Sequence, residues 1–251
     1  MRRIDLSAAP HDVRTVPARS FVGRTGRWWL AVTSLAIAVI APLPYLTTGL
    51  GDMAREGQEI AGNYVDRPGW LQVAFYVHVC LGGLAMLTAP VQLSSRVRRR
   101  APRLHRVAGR VGIASILVAA IAGAVLSPYS VADGVGFAGF GLLAVAWFTC
   151  ALASYRTIRR GDVAAHRRWA IRTFALTYAA VTLRLWLGVM IGVQAGIMGV
   201  DGDLAFDRAY HIVPFLAWVP NLILAEVIID RTTSRAVGRT ARRPASEPTG
   251  G

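Results

Sequence analysis

The chain has 251 residues, 54% of them hydrophobic against 17% charged, and a mean hydropathy of +0.43. A water-soluble domain of this length needs far more polar surface. The net charge of +14 comes from 28 arginines and no lysine. They lie in short runs between long apolar segments, which leaves no soluble basic domain to grip nucleic acid.

Residues 1–27 read as a basic cytoplasmic segment. Arg2-Arg3 has the look of a twin-arginine export signal, but the apolar run begins far downstream and no small-residue cleavage site follows, so the first helix is expected to stay as an anchor. Six apolar runs follow: Trp28–Leu50, Trp70–Leu93, Val107–Leu126, Phe137–Tyr155, Trp169–Ile191 and Tyr210–Ile229. Each has about the 20 residues that cross a hydrocarbon core of about 30 Å as a helix. None alternates in the way a membrane barrel strand requires. The fold class is therefore all-α: an integral membrane bundle of six transmembrane helices over residues 28–230, in contact with the lipid bilayer. Residues 231–251 have almost no apolar content and predict a disordered cytoplasmic tail.

Arginine placement sets the expected orientation. The first segment, the loops after the second and fourth helices and the tail together hold 22 arginines, while the other three loops hold Arg55, Arg67 and Arg208 among eight acidic residues. By the positive-inside rule both termini face the cytoplasm, N-in and C-in, and the membrane is a bacterial plasma membrane. Cys80 and Cys150 sit inside apolar runs, with no disulfide framework and no metal-ligand spacing. RRRAPRLHRVAGR and RRGDVAAHRRWAIR each place a His after a basic loop and before a helix of small residues. Such a match suits a parallel internal repeat, and shared topology also generates it.

In a membrane bundle the informative residues are polar ones at depth, because a central charge costs about 2.5–3.5 kcal/mol. His78, in the outer half of the second helix, heads a face of Gly82, Ala85, Ala89 and Gln92. His105 shares a face with Gly109, Gly112, Ala119 and Gly123, and His166 with Ala170, Thr173, Thr177, Ala180 and Arg184. Small residues let backbones approach, so these faces point into the bundle. His105 and His166 lie at matching cytoplasmic depth, as two axial ligands of haem b would, with arginines nearby for its propionates. Another metal on the same pair, with Asp162 as a third ligand, and plain interfacial caps are the alternatives. His78 with His211 is a further candidate pair for haem. Arg184 stands about 10 Å inside the outer end of its helix, with no acid at its depth in any span. Its partner is a carbonyl, a neutral His such as His78, an outer-loop acid, or an anionic ligand. Arg172 and Glu226 lie at similar depths and read as a buried ion pair, or Glu226 as a proton-handling carboxylate. Signatures of hydrolases, metalloproteases and P-loop enzymes are missing.

The strings HVCLGGLAMLTAPVQL, LHRVAGRVGIAS, IRRGDVAAHRRWAIRTFALTYAAVTLRLWL and AWVPNLILAE resemble the bacterial membrane family designated domain of unknown function 2306. The resemblance runs from about His78 to Glu226. It implies a multi-pass membrane fold with no established activity. The positions matching its polar motif residues are His78, Gln92, His105, Arg110, His166, Arg172, Arg184, Asn221 and Glu226. A weaker likeness to transmembrane b-type cytochromes implies haem between helices, but here the well-matched His pair lies at the membrane edge. The leading functional expectation is electron transfer through haem b on His105 and His166, with Arg110, Arg172 and Arg184 as charge partners. The alternatives are a carrier or receptor for a small anionic or lipidic ligand, anchored on Arg184 in an outer-half pocket, and a ligand-free assembly protein.

Overall fold

In a computed structural model the protein is described over residues 23–241. Among those residues every regular element is helical, and six helical stretches are long and apolar enough to cross a membrane: Thr25–Thr47, Gly69–Leu93, Pro102–Tyr129, Asp133–Arg159, Val163–Ile197 and Val213–Ser234. The expected six-span, all-α bundle is the observed one. The arginine-rich loops gather at one end, here the basic side, and the acidic loops at the other, the far side.

The first helix, α1 (Arg24–Ile40), stops short of the expected Leu50. Pro42 and Pro44 supply no N–H to continue it, and the chain passes through a short α2 (Leu43–Thr47) instead. Gly49 takes φ +82°, a left-handed backbone that suits glycine, and reverses the chain into α3 (Leu50–Arg55). With α4 (Glu59–Val65), α3 forms a two-helix cap on the far side. The cap has its own apolar cluster, in which Leu50, Met53, Ala61 and Tyr64 pack on Leu71 and Phe75.

The second span is α5 (Gly69–Leu93). At the basic side α6 (Ser95–Arg100) is capped by the Ser94 hydroxyl, which accepts from the Val97 N–H, before α7 (Pro102–Leu126) recrosses. A 3-10 turn, Ser127–Tyr129, leads to α8 (Asp133–Arg159). The Asp162 carboxylate caps α9 (Val163–Thr177), accepting from the Ala165 N–H at 2.8 Å. This is a structural use of a residue that sequence reasoning held open as a metal ligand. Across Tyr178 the chain continues as α10 (Ala179–Ile191) and a π-helical turn, Gly192–Ile197.

The sixth apolar run begins later than expected. Tyr210 ends a separate far-side helix, α11 (Gly202–Tyr210), and His211 is its C-cap. The span proper is α12 (Val213–Leu216) with α13 (Val219–Ala241). The helix α13 runs on past Arg231, where composition predicts disorder; residues 242–251, like 1–22, lie outside the described residues.

Small residues let the helices close on each other, as packing without a hydrophobic drive in lipid requires. The central cluster joins Ala85, Ile116, Ala119, Ala120, Ala151 and Leu176 to Trp147 and Cys150. At Gly139 a Cβ would lie 2.5 Å from the Pro214 Cβ and 2.9 Å from its carbonyl carbon, so α8 and α12 are in backbone contact there. Both cysteines are free, Cys150 buried and Cys80 half-buried.

Candidate functional site

Between the spans, toward the far side, lies a cavity of about 250 Å³. Along α5 its lining runs from Phe75 to Met86, about 16 Å by helical rise. The far-side end is polar: Tyr45 of α2, Asn63 and Tyr64 of α4, and Tyr210 of α11 line it. His78 and Arg184 come next, and the end nearest the basic side is Met86, Ala144, Trp147 and Leu176. That apolar end is already satisfied internally, because the Trp147 indole N–H donates to the Thr177 hydroxyl at 2.9 Å.

Among the described residues Arg184 is the only charged one in the lining. One guanidinium N–H donates back to the Ala180 carbonyl at 2.9 Å. Of the partners open to it from sequence, this carbonyl is the one present. A guanidinium has five N–H donors, and among the described residues the other four have no acceptor; no carboxylate makes an ion pair with Arg184. His78 donates Nδ1–H to the Ala119 carbonyl at 2.9 Å, which leaves Nε2 free for another partner. The ring is seated by Gly123, where a Cβ would lie 3.0 Å from Cε1 and Nδ1.

Three phenols complete the polar end. Tyr64 and Tyr210 are 8% and 9% exposed, and Tyr45 is half-buried. None of the three hydroxyls has a hydrogen-bond partner among the described residues. Burial pushes Tyr64 up to about 12, against the opposing pull of Arg67, and burial likewise raises Tyr210. Both therefore stay neutral O–H donors at physiological pH. Their hydroxyls open onto the cavity that Arg184 also lines, so three O–H donors and a guanidinium with spare N–H groups offer hydrogen bonds there to acceptor atoms. Sequence reasoning reached His78 and Arg184 but missed the tyrosines and Asn63. Tyrosines read as markers of the membrane boundary, and these come from three separate far-side elements.

The other candidates lie elsewhere. His105 and His166 are each the fourth residue of their helices, α7 and α9, at the basic side. His166 Nδ1–H donates to the Ser154 carbonyl at 2.8 Å, while His105 Nδ1 is buried with no partner among the described residues. Neither lines the central cavity. Gln92 donates to the His105 carbonyl at 2.9 Å. His211 sits against the Asp207 carbonyl at 2.8 Å and lines a separate groove with Gln194, so the structure does not bring it to His78. Arg172 and Glu226 do form the expected pair, through two bonds of 2.6 and 2.7 Å, with Arg172 also over the Trp169 ring at 4.7 Å. Asn221 ties α13 to its neighbours, donating to the Thr182 hydroxyl at 3.0 Å and the Ala217 carbonyl at 3.1 Å. Arg110 is exposed on α7. No group of three or more metal-ligating side chains occurs among the described residues.

The family model for predicted membrane proteins designated DUF2306 matches residues 75–229. No curated protein and no solved structure matches the chain.

Proposed function

We propose that this chain, which belongs to the DUF2306 family of predicted membrane proteins, is a carrier or receptor that binds a small anionic molecule in its central cavity. The observation that carries the reading is Arg184: the single charge in the lining, without a carboxylate, facing three unpartnered phenols. In a site shielded from water, a guanidinium with spare N–H donors and neutral O–H donors stabilises an anion through charge-assisted hydrogen bonds. The excess of arginines on the basic side makes that side cytoplasmic in a bacterial plasma membrane, with both termini inside and the cavity toward the outer face. The volume of about 250 Å³ sits just below the range of about 300–1,000 Å³ typical of ligand pockets, so the ligand is small or leaves part of itself outside.

The test compares thermal unfolding of wild type and Arg184→Gln, bare and with carboxylates, phosphates and lipids. A ligand that binds only the native state at a hundredfold excess over Kd stabilises it by about 2.7 kcal/mol, and the variant should lose that gain. If no compound shifts wild type while the bare variant melts lower, Arg184 is a structural residue and the reading fails.

Haem b on His105 and His166 is the second reading, and His105 favours it. Its Nδ1 is buried without a partner, while the Ser154 carbonyl orients His166 as a ligand histidine is usually oriented. It stands second because neither histidine lines the central cavity. An absorption spectrum of protein from haem-replete cells decides it: a Soret band with split α and β bands on reduction, lost in His105→Ala, supports haem, and a colourless protein removes it.

A further inference from the structure

The position of the opening points to the route and to the class of ligand. Every residue lining the cavity is buried or half-buried except Arg184, which is exposed. Arg184 therefore stands in the mouth. That mouth opens part-way along a span. Arg184 lies seven positions before Ile191, where α10 gives way to the π-helical turn, about 10 Å inside that end by helical rise. Its helical neighbours Leu185 and Val189 are 54% and 46% exposed, and on α2 Leu43 and Leu46 are 49% and 60% exposed. In a membrane, apolar surface of this kind faces acyl chains.

The other sides of the cavity are packed. On the far side the α3–α4 cap is seated on the bundle: Ala61 and Leu71 are fully buried, and the Asn63 amide donates to the Tyr129 carbonyl at 2.7 Å. Tyr210, with Phe140 and Phe206 against it, closes the same end from α11. Toward the basic side α1 and α10 meet through Ala38, Met86 and Val181, and the Thr33 and Tyr178 hydroxyls are bonded at 2.8 Å.

We infer that the cavity is loaded from within the bilayer, and that its ligand is a membrane-dissolved amphiphile with a single anionic head, which lodges at Arg184 and the tyrosines with its apolar part toward Met86 and Leu176. One cation and no acid in the lining match one negative charge. The graded lining, polar at the far-side end and apolar at the other, matches a head and a tail. This rests on the anion-binding reading of the same cavity and adds the source of the ligand.

The full-length protein in nanodiscs of phosphatidylcholine is titrated with butyrate, octanoate, palmitate and hexadecanol, and binding is read from tryptophan fluorescence and thermal shift. Referred to probe free in water, each methylene that passes into the bilayer and on to the apolar end should raise affinity about fourfold, so palmitate and octanoate should bind far more tightly than butyrate. Hexadecanol, which has the tail without the charge, should bind at least about tenfold more weakly than palmitate. Arg184→Gln should abolish the difference between palmitate and hexadecanol; Tyr210→Phe, which removes one hydroxyl and keeps the packing, should weaken palmitate even if Arg184→Gln does not fold. Butyrate binding as tightly as palmitate, and sensitive to either variant, would overturn entry from the bilayer and leave a water-soluble anion in the cavity. If none of the four probes binds wild type in a manner sensitive to either variant, both the inference and the anion-binding reading fail.

Discussion

Removing one member of the Arg172–Glu226 pair separates a structural carboxylate from a proton-handling one. The carboxylate receives two N–H bonds from one guanidinium, at 2.6 and 2.7 Å, and the guanidinium is also stacked on Trp169. A fully buried pair that loses one partner costs about 3–5 kcal/mol, and an exposed pair less than about 1 kcal/mol. With side chains 22% and 42% exposed, this pair falls between, near 2 kcal/mol, because partial exposure lets head groups or water replace part of what is lost. Glu226→Leu and Arg172→Met should each lower stability by about that much. The double variant should be less destabilised than the sum of the two, with a coupling of about 2 kcal/mol from the double-mutant cycle. Unfolding in mixed detergent micelles, followed by tryptophan fluorescence, measures all four proteins. If Glu226→Leu unfolds like wild type, or the two losses simply add, the pair does not hold the helices together, and Glu226 is free to exchange protons.

Two further outcomes follow from the same contacts. Gly139→Ala places a methyl 2.5 Å from the Pro214 Cβ and 2.9 Å from a backbone carbon that cannot swing away; a loss of about 1–3 kcal/mol is expected, read as a lower melting temperature, and an unchanged one would mean that α8 and α12 are not in backbone contact. For orientation, single cysteines at Ser130 and Ser246 in a cysteine-free background should react differently with an impermeant reagent in intact cells. Position 130 should label and position 246 should not, and labelling at 246 would reverse or break the assigned topology.

The number of spans was legible because apolar length alone decides it. Their edges were not, because hydropathy is blind to backbone chemistry. From Leu43 to Leu50 the chain carries no charge and prolongs the first apolar run, yet Pro42, Pro44 and Gly49 turn it into a short helix and a new start. Tyr210 begins an apolar run by composition, but α11 ends there at a His211 cap and the span restarts at Val213. Arg172 with Glu226 could be paired from depth, since both charges were expensive alone. Arg184 and His78 stood out for the same reason. The tyrosines around them carried no such signal, because a phenol is at home at a membrane boundary and only the folded cap turns Tyr64 inward.

The boundary of the family match cuts through this cavity. Residues 75–229 contain His78, Arg184 and Tyr210, while Tyr45, Asn63 and Tyr64 lie before it, on α2 and α4. On the proposed reading, anchor and selector are thus encoded in separate stretches of chain. The matched helices hold the charge and most of the wall, and the preceding stretch supplies Tyr45, Ile60, Asn63 and Tyr64 at the far-side end. If the cavity binds as proposed, exchanging residues 43–68 for another sequence would re-cut the lock while leaving its bolt in place.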